Sequence, residues 1–276
     1  MVKYTEEELD QKLKEIKRRD KIKVDEPGLF EKIYGIFAEP ADLFNKLSYF
    51  KPNALNWLLP IVSYVLIFSF CEYLMQNNPS VLKTKFENQY GVMENKVDAS
   101  IEKGTLSREE AEEILDKEYD KAKYFSVGPN FVPTLIFKTV TTLFSFFITI
   151  ILLQFFMNLF YQELYKIKMT MVVYGLPFLI PSLEVLVRTI LVYVTGTYYP
   201  VLDFSSVLLF QNNFLAYIFS KLNPFEIWFN VVVCIGFVQM YRLKTKRKIY
   251  MLVFGSWFVL LSIGYFITQY IQAFSR

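Results

Sequence analysis

Apolar residues along the chain are gathered into long runs separated by charged stretches. A helix rising 1.5 Å per residue needs roughly 20 apolar residues to cross a hydrocarbon core of about 30 Å. Four runs reach that length: Ala54 to Leu74, Thr139 to Phe160, Met169 to Val194 and Tyr250 to Ala273. A fifth, Phe225 to Tyr241, is shorter and mostly apolar. The pattern predicts an all-α, polytopic membrane protein with five transmembrane helices.

Outside these runs the periodicity is that of amphipathic helices. Thr5 and Glu8 form a capping box ahead of Leu9, Leu13 and Ile16, which predicts a charged helix within residues 1–26. In residues 27–53, Leu29, Phe30, Ile33, Tyr34 and Phe37, then Leu43, Phe44, Leu47 and Phe50, follow helical spacing in two pieces broken at Pro40. These pieces read as interfacial helices, a placement compatible with packing against the bundle. The membrane domain then occupies 54–273, with an external segment, 75–130, inserted. That insertion carries Phe86, Tyr90, Met93, Val97 and Ile101, then Ala111, Ile114, Leu115, Tyr119 and Ala122 after a second box at Ser107 and Glu110, with Gly104 between. It predicts an antiparallel helical hairpin. So few apolar residues make it a docking or spacer element. Between Thr197 and Asn223 two apolar clusters are interrupted by Asp203 and by Gln211 to Asn213. Neither half is long enough to cross, so short helices at the outer interface are expected, with Tyr198, Tyr199 and Tyr217 at headgroup depth.

Charge gives the orientation. The chain of 276 residues is 53% hydrophobic yet 21% charged, and the two classes are segregated. Lysine and arginine crowd the segment before the first run and the stretch Arg242 to Lys248, whereas the 75–130 insertion is more acidic than basic. Under the positive-inside rule the N-terminus and Arg242 to Lys248 face the cytoplasm and the C-terminus faces outward. Ordinary topology accounts for the basic cluster, so nucleic acid is not an expected partner. The segment Met1 to Asp20 is too charged for a cleavable signal, and the run from Ala54 is expected to direct insertion.

Candidate chemistry is sparse. The chain has no histidine, which excludes Ser-His-Asp and Cys-His nucleophilic sites and HExxH zinc sites. No GxGxxG or GxxxxGK[ST] occurs, and Lys103-Gly104-Thr105 is in the wrong order for a phosphate loop. Cys71 and Cys234 lie within apolar runs as small buried hydrophobes. A non-enzymatic protein without cofactor or metal is expected.

Polar residues inside the apolar runs remain. Glu184 and Arg188 are four residues apart in the third run, in the order that lets acid and base meet on one helix face, so they are expected to form an intramembrane ion pair. Pro177 and Pro181 precede them and predict a kink. A kink beside an ion pair can be static architecture or a transport site. Glu72 and Lys138 fall together at the outer edge, where they could pair or snorkel. Thr141, Thr142, Ser145 and Thr149 form a small polar face for close helix packing, and Gln154 and Asn158 a second one for helix-to-helix hydrogen bonds.

The stretch Gly28-Leu29-Phe30 to Phe44 with Pro40, the Pro52 to Pro60 entry, Tyr174-Gly175-Leu176-Pro177, and Leu222-Asn223-Pro224-Phe225-Glu226-Ile227-Trp228 leading to Gly236 resemble, in order and span number, the Yip domain family. The resemblance runs from about Gly28 to Phe266. It implies a cytoplasmic N-terminal segment, a five-helix membrane domain and a role in membrane organisation or trafficking. The family is named for interaction with Rab-type GTPases. The Asp-Leu-Tyr-Gly-Pro motif of its eukaryotic members is reduced here to Ala41-Asp42-Leu43-Phe44, which argues against a small GTPase as partner. The acidic hairpin is similar to the bacterial branch, implying a bacterial cytoplasmic membrane. The expected function is a scaffold acting through the lipid bilayer and other membrane proteins, including copies of itself. The alternative is a small transporter or channel subunit using Glu184 and Arg188.

Overall fold

The computed structural model describes residues 25–102, 105–125, 130–161, 166–197, 214–219 and 222–274. The expected helix at Thr5 to Ile16 lies outside them, as do Gly104 and most of the Thr197 to Asn223 segment, Tyr198 and Tyr199 included. The described residues form helices and short connections.

The chain enters through α1 (Leu29–Ala38) and α2 (Pro40–Leu47). Glu39 alone separates them, in a non-helical conformation that the following Pro40 enforces on its predecessor. The first long helix is α3 (Leu55–Gln76). It leads into a hairpin of α4 (Pro79–Glu102) and α5 (Arg108–Phe125). The box at Ser107 closes as the sequence requires: its N–H donates to Glu110 Oε2 at 3.0 Å, and Glu110 N–H returns a bond to Ser107 Oγ at 3.3 Å. Tyr119 packs edge-on against Phe86 and Tyr90, and Val97 and Ala111 are buried, so the hairpin has a thin apolar seam of its own.

After the hairpin, α6 (Phe131–Tyr161) returns along α3. The next passage is broken. α7 (Ile167–Gly175) tightens into a 3₁₀ turn at Leu176–Phe178 and continues as α8 (Leu179–Thr195). Pro177 and Pro181 lack the N–H groups that would bond the carbonyls four residues earlier, which explains the tightened turn. Gly196 ends α8 in the left-handed conformation, its N–H bonded to Val192 O. A short helix, α9 (Phe214–Phe219), precedes α10 (Pro224–Met240) and α11 (Lys246–Phe274). Four stretches are long and apolar enough to cross a membrane and mark an integral membrane protein: Leu55–Gln76, Phe131–Tyr161, Ile167–Thr195 and Lys246–Ile267. With 17 residues, α10 is shorter.

Hydrogen bonds fix the two ends of the bundle. At one end Tyr161 Oη donates to Thr245 O, and Thr170 shares a 2.7 Å bond with the Tyr241 hydroxyl. At the other, Tyr193 Oη reaches Leu74 O. The core between them is aromatic: Phe146, fully buried, stacks on Trp57 and contacts Tyr174 and Phe178, and both of these meet Phe229 edge-on. Two glycines allow this closeness. A Cβ on Gly175 would stand 2.9 Å from the Trp57 backbone, and one on Gly236 would meet Val173 at 2.9 Å and Phe44 at 3.0 Å. Gly236 is thus where α2 seats on α10: Leu43, Phe44 and Leu47 are buried there, while α1 leaves Leu29, Phe30 and Tyr34 exposed.

Candidate intramembrane polar site

The polar residues of the apolar helices converge where α3, α6, α8 and α10 meet. Arg188, 5% exposed, reaches across from α8 to α3, where Nη2 lies 3.0 Å from Glu72 Oε2. Glu72 is equally buried, and its other oxygen accepts from Gln76. This corrects the expected same-helix pair. Arg188 has its ion pair with Glu72, and Glu184 stands in no ion pair with it, despite the favourable spacing. Positions i and i+4 differ by about 40° around a helix, and in this bundle that angle separates two neighbours. Arg188 turns toward α3, and Glu184 turns toward the start of α10.

There Glu184 Oε1 accepts a long bond, 3.5 Å, from Asn223 Nδ2. Asn223 is 5% exposed and serves two helices, because its Oδ1 also caps α10 through the Glu226 N–H at 2.7 Å. Glu226 in turn accepts from Trp257 Nε1 of α11 at 2.9 Å. The positive end of the α10 dipole therefore faces the Glu184 carboxylate. Glu184 is eleven residues short of the end of α8 at Thr195. At 1.5 Å per residue, α10 begins about 16 Å inside that end of the bundle. α9 occupies part of the depth above it, with Phe214 against Phe258, Tyr265 and Phe266 of α11. The Phe214–Phe219 helix packs on α11.

Lys138 does not pair with Glu72 at contact distance either. Its Nζ sits over the ring of Phe68 at 3.7 Å and of Tyr64 at 4.9 Å. It still feels the charges of Arg188, Glu72 and Glu184, so five ionisable groups, with Glu226, share one electrostatic neighbourhood.

The second polar set behaves as expected. Gln154 Nε2 donates to Asn158 Oδ1 at 3.1 Å, and Gln154 Oε1 accepts from Thr170 on α7 at 2.8 Å. Thr141 and Thr149 bond back to carbonyls of their own helix. Sequence reasoning missed Asn223, Glu226, Trp257 and Tyr241 as polar partners. Asn223-Pro224 with Glu226 three residues after the asparagine is a helix-start signal that could have located the first two. Among the described residues no group of three or more His, Cys, Asp or Glu is placed to hold a metal.

Compared with protein-family models, curated proteins and solved structures, the chain matches none.

Proposed function

We propose that the chain is a non-enzymatic membrane protein of five spans, N-terminus in and C-terminus out, that organises the membrane around it in the manner of Yip domain proteins. The observation that carries this reading is the division of labour between α1 and α2. Phe44 at 0% and Leu47 at 3% exposure anchor α2 on α10, while Phe30 at 86% and Tyr34 at 62% stand outward on α1. An anchored amphipathic helix presenting apolar side chains sideways acts as an interfacial wedge. The sequence resemblance and the basic-residue asymmetry support the same reading, with α10 as the fifth, short span. Reconstitution into vesicles tests it: the wild type should change vesicle size or curvature, a Phe30→Asp, Tyr34→Asp variant should not, and neither should carry flux. Unchanged morphology with the wild type would overturn it.

A second reading, a small transporter or channel subunit, is favoured by one observation. The passage broken at Pro177 carries Glu184, and the N-cap residue of α10, Asn223, donates to that carboxyl. Broken helices with their termini at a buried charge are the arrangement by which transporters bind ions. Proton or cation flux that is lost in Glu184→Gln at unchanged stability would establish that reading and displace the scaffold.

A further inference from the structure

The start of α3 carries a groove that neither reading above uses. It is about 330 Å³ in volume and lies between α1, α3 and α8. Its walls are Leu29 and Ile33 of α1, Leu55 and Leu59 of α3, and Leu179 of α8. Leu55 and Leu59 are 62% and 41% exposed, so the groove opens sideways, where acyl chains would be. Three polar groups interrupt the lining: Lys32, Asn56 and Ser63. The Lys32 side chain is only 15% exposed, and its Nζ donates to Asn56 Oδ1 at 2.8 Å and to Glu26 at 3.3 Å. An ammonium has three donors, so Lys32, which lines the groove, has one beyond these two bonds.

We propose that this groove binds one anionic phospholipid, its phosphate on Lys32 and an acyl chain along Leu55, Leu59 and Leu179. The chemistry fits that occupant on three counts. The lining is apolar with few convergent polar groups, as ligand sites are, and it faces the lipid phase. A cation withdrawn into an apolar wall, with only an exposed carboxylate opposite it, gains from a second anion. The α10–α11 turn, whose Arg242 lies over the Tyr49 ring just past α2, carries exposed Lys244, Lys246, Arg247 and Lys248, which draw anionic lipid toward this part of the bundle. The inference needs the chain only to lie in a membrane, and stands apart from the scaffold and transport readings.

Native mass spectrometry of the full chain in detergent tests it, with phosphatidylglycerol or phosphatidylcholine of identical acyl chains added at equal concentration. The wild type should retain phosphatidylglycerol several-fold more than phosphatidylcholine. Lys32→Gln, which removes the charge and keeps an amide donor, should abolish the preference, and Lys32→Arg should keep it. Leu59→Trp, which fills the groove, should reduce retention of both lipids. Thermal unfolding with each lipid present reads the same binding and shows whether each variant is folded. Equal retention of the two lipids, or a preference that survives Lys32→Gln, would overturn the proposal. So would a preference lost only when Lys246, Arg247 and Lys248 are replaced together by Gln, which would place the anion on the loop. An equal shift produced by glycerol 3-phosphate would show that the site takes a free phosphate and no lipid.

Discussion

Arg188→Leu removes the cation that holds Glu72 in the seam between α3 and α8. The nitrogen-to-oxygen distance of 3.0 Å corresponds to roughly 5 kcal/mol of attraction at an effective dielectric of about 20. Desolvation offsets much of this, so the intact pair stabilises the protein little compared with two apolar groups of the same size. Losing one partner is another matter. The remaining buried charge then costs about 3–5 kcal/mol, whereas Glu72→Gln with Arg188→Leu leaves no such charge and is close to neutral. At roughly 2–4 °C per kcal/mol, the single change should lower the unfolding temperature by at least about 6 °C, and the double change by much less. The assay is thermal unfolding in detergent of the wild type, each single variant and the double. A second double variant, Glu184→Gln with Arg188→Leu, asks which carboxylate is coupled to the arginine. Better rescue by Glu184→Gln than by Glu72→Gln would refute the cross-helix pair, and strictly additive losses from Glu72 and Arg188 would show that they are not coupled.

Gly175→Ala drives a Cβ into the Trp57 backbone and should destabilise the protein by about 1–3 kcal/mol. Gly255→Ala on α11 meets no neighbour within 4 Å and should be neutral or gain up to about 1 kcal/mol of helix propensity; thermal unfolding of the two variants compares them. Cysteines placed at Ser107 and Thr245 should be labelled from opposite sides of intact membranes, the native Cys71 and Cys234 being buried; labelling of both from one side would defeat the five-span arrangement. The Ser107 N–H, and then its hydroxyl, hold the Glu110 carboxyl below its ordinary value of 4.5. A lowered carboxyl contributes stability that is complete above that value and is lost as pH falls through the folded one. Hydrogen-exchange protection of the first turn of α5 should therefore drop below pH 4.5; Glu110→Gln should remove that pH dependence, and Ser107→Ala, which keeps the backbone N–H, should only weaken it.

The apolar runs located the long helices to within four residues at every end but one, because a segment that must satisfy all its backbone groups in lipid has few choices; α6 begins at Phe131, eight residues before the run at Thr139. The α7–α8 break at Pro177 and the Ser107 cap were legible for the same reason: each follows from local backbone chemistry. The partner of Arg188 was not. Spacing along one helix says which side chains could meet, but Glu72 lies on another helix, and only the packing of α3 on α8 decides between them. Nor could the run Phe225 to Tyr241 show that its start sits deep in the bundle, since that follows from Asn223 meeting Glu184 of α8. Helical spacing does not place Lys32 either: it becomes a groove lysine only through Asn56 of α3.

The seat of α2 on α10 also imposes an order on biosynthesis. Phe44 emerges from the ribosome early, yet Gly236, which it packs against, follows about 190 residues later. At about 5–20 residues per second, that separation is roughly 10–40 s. Leu43 already has Gly35 of α1 beside it, but through that interval Phe44 lacks the α10 surface it packs against, and only the bilayer interface or a chaperone can cover it. A nascent chain stalled before Pro224 should therefore hold α2 open to crosslinking by insertion factors, and release it once α10 has entered the membrane.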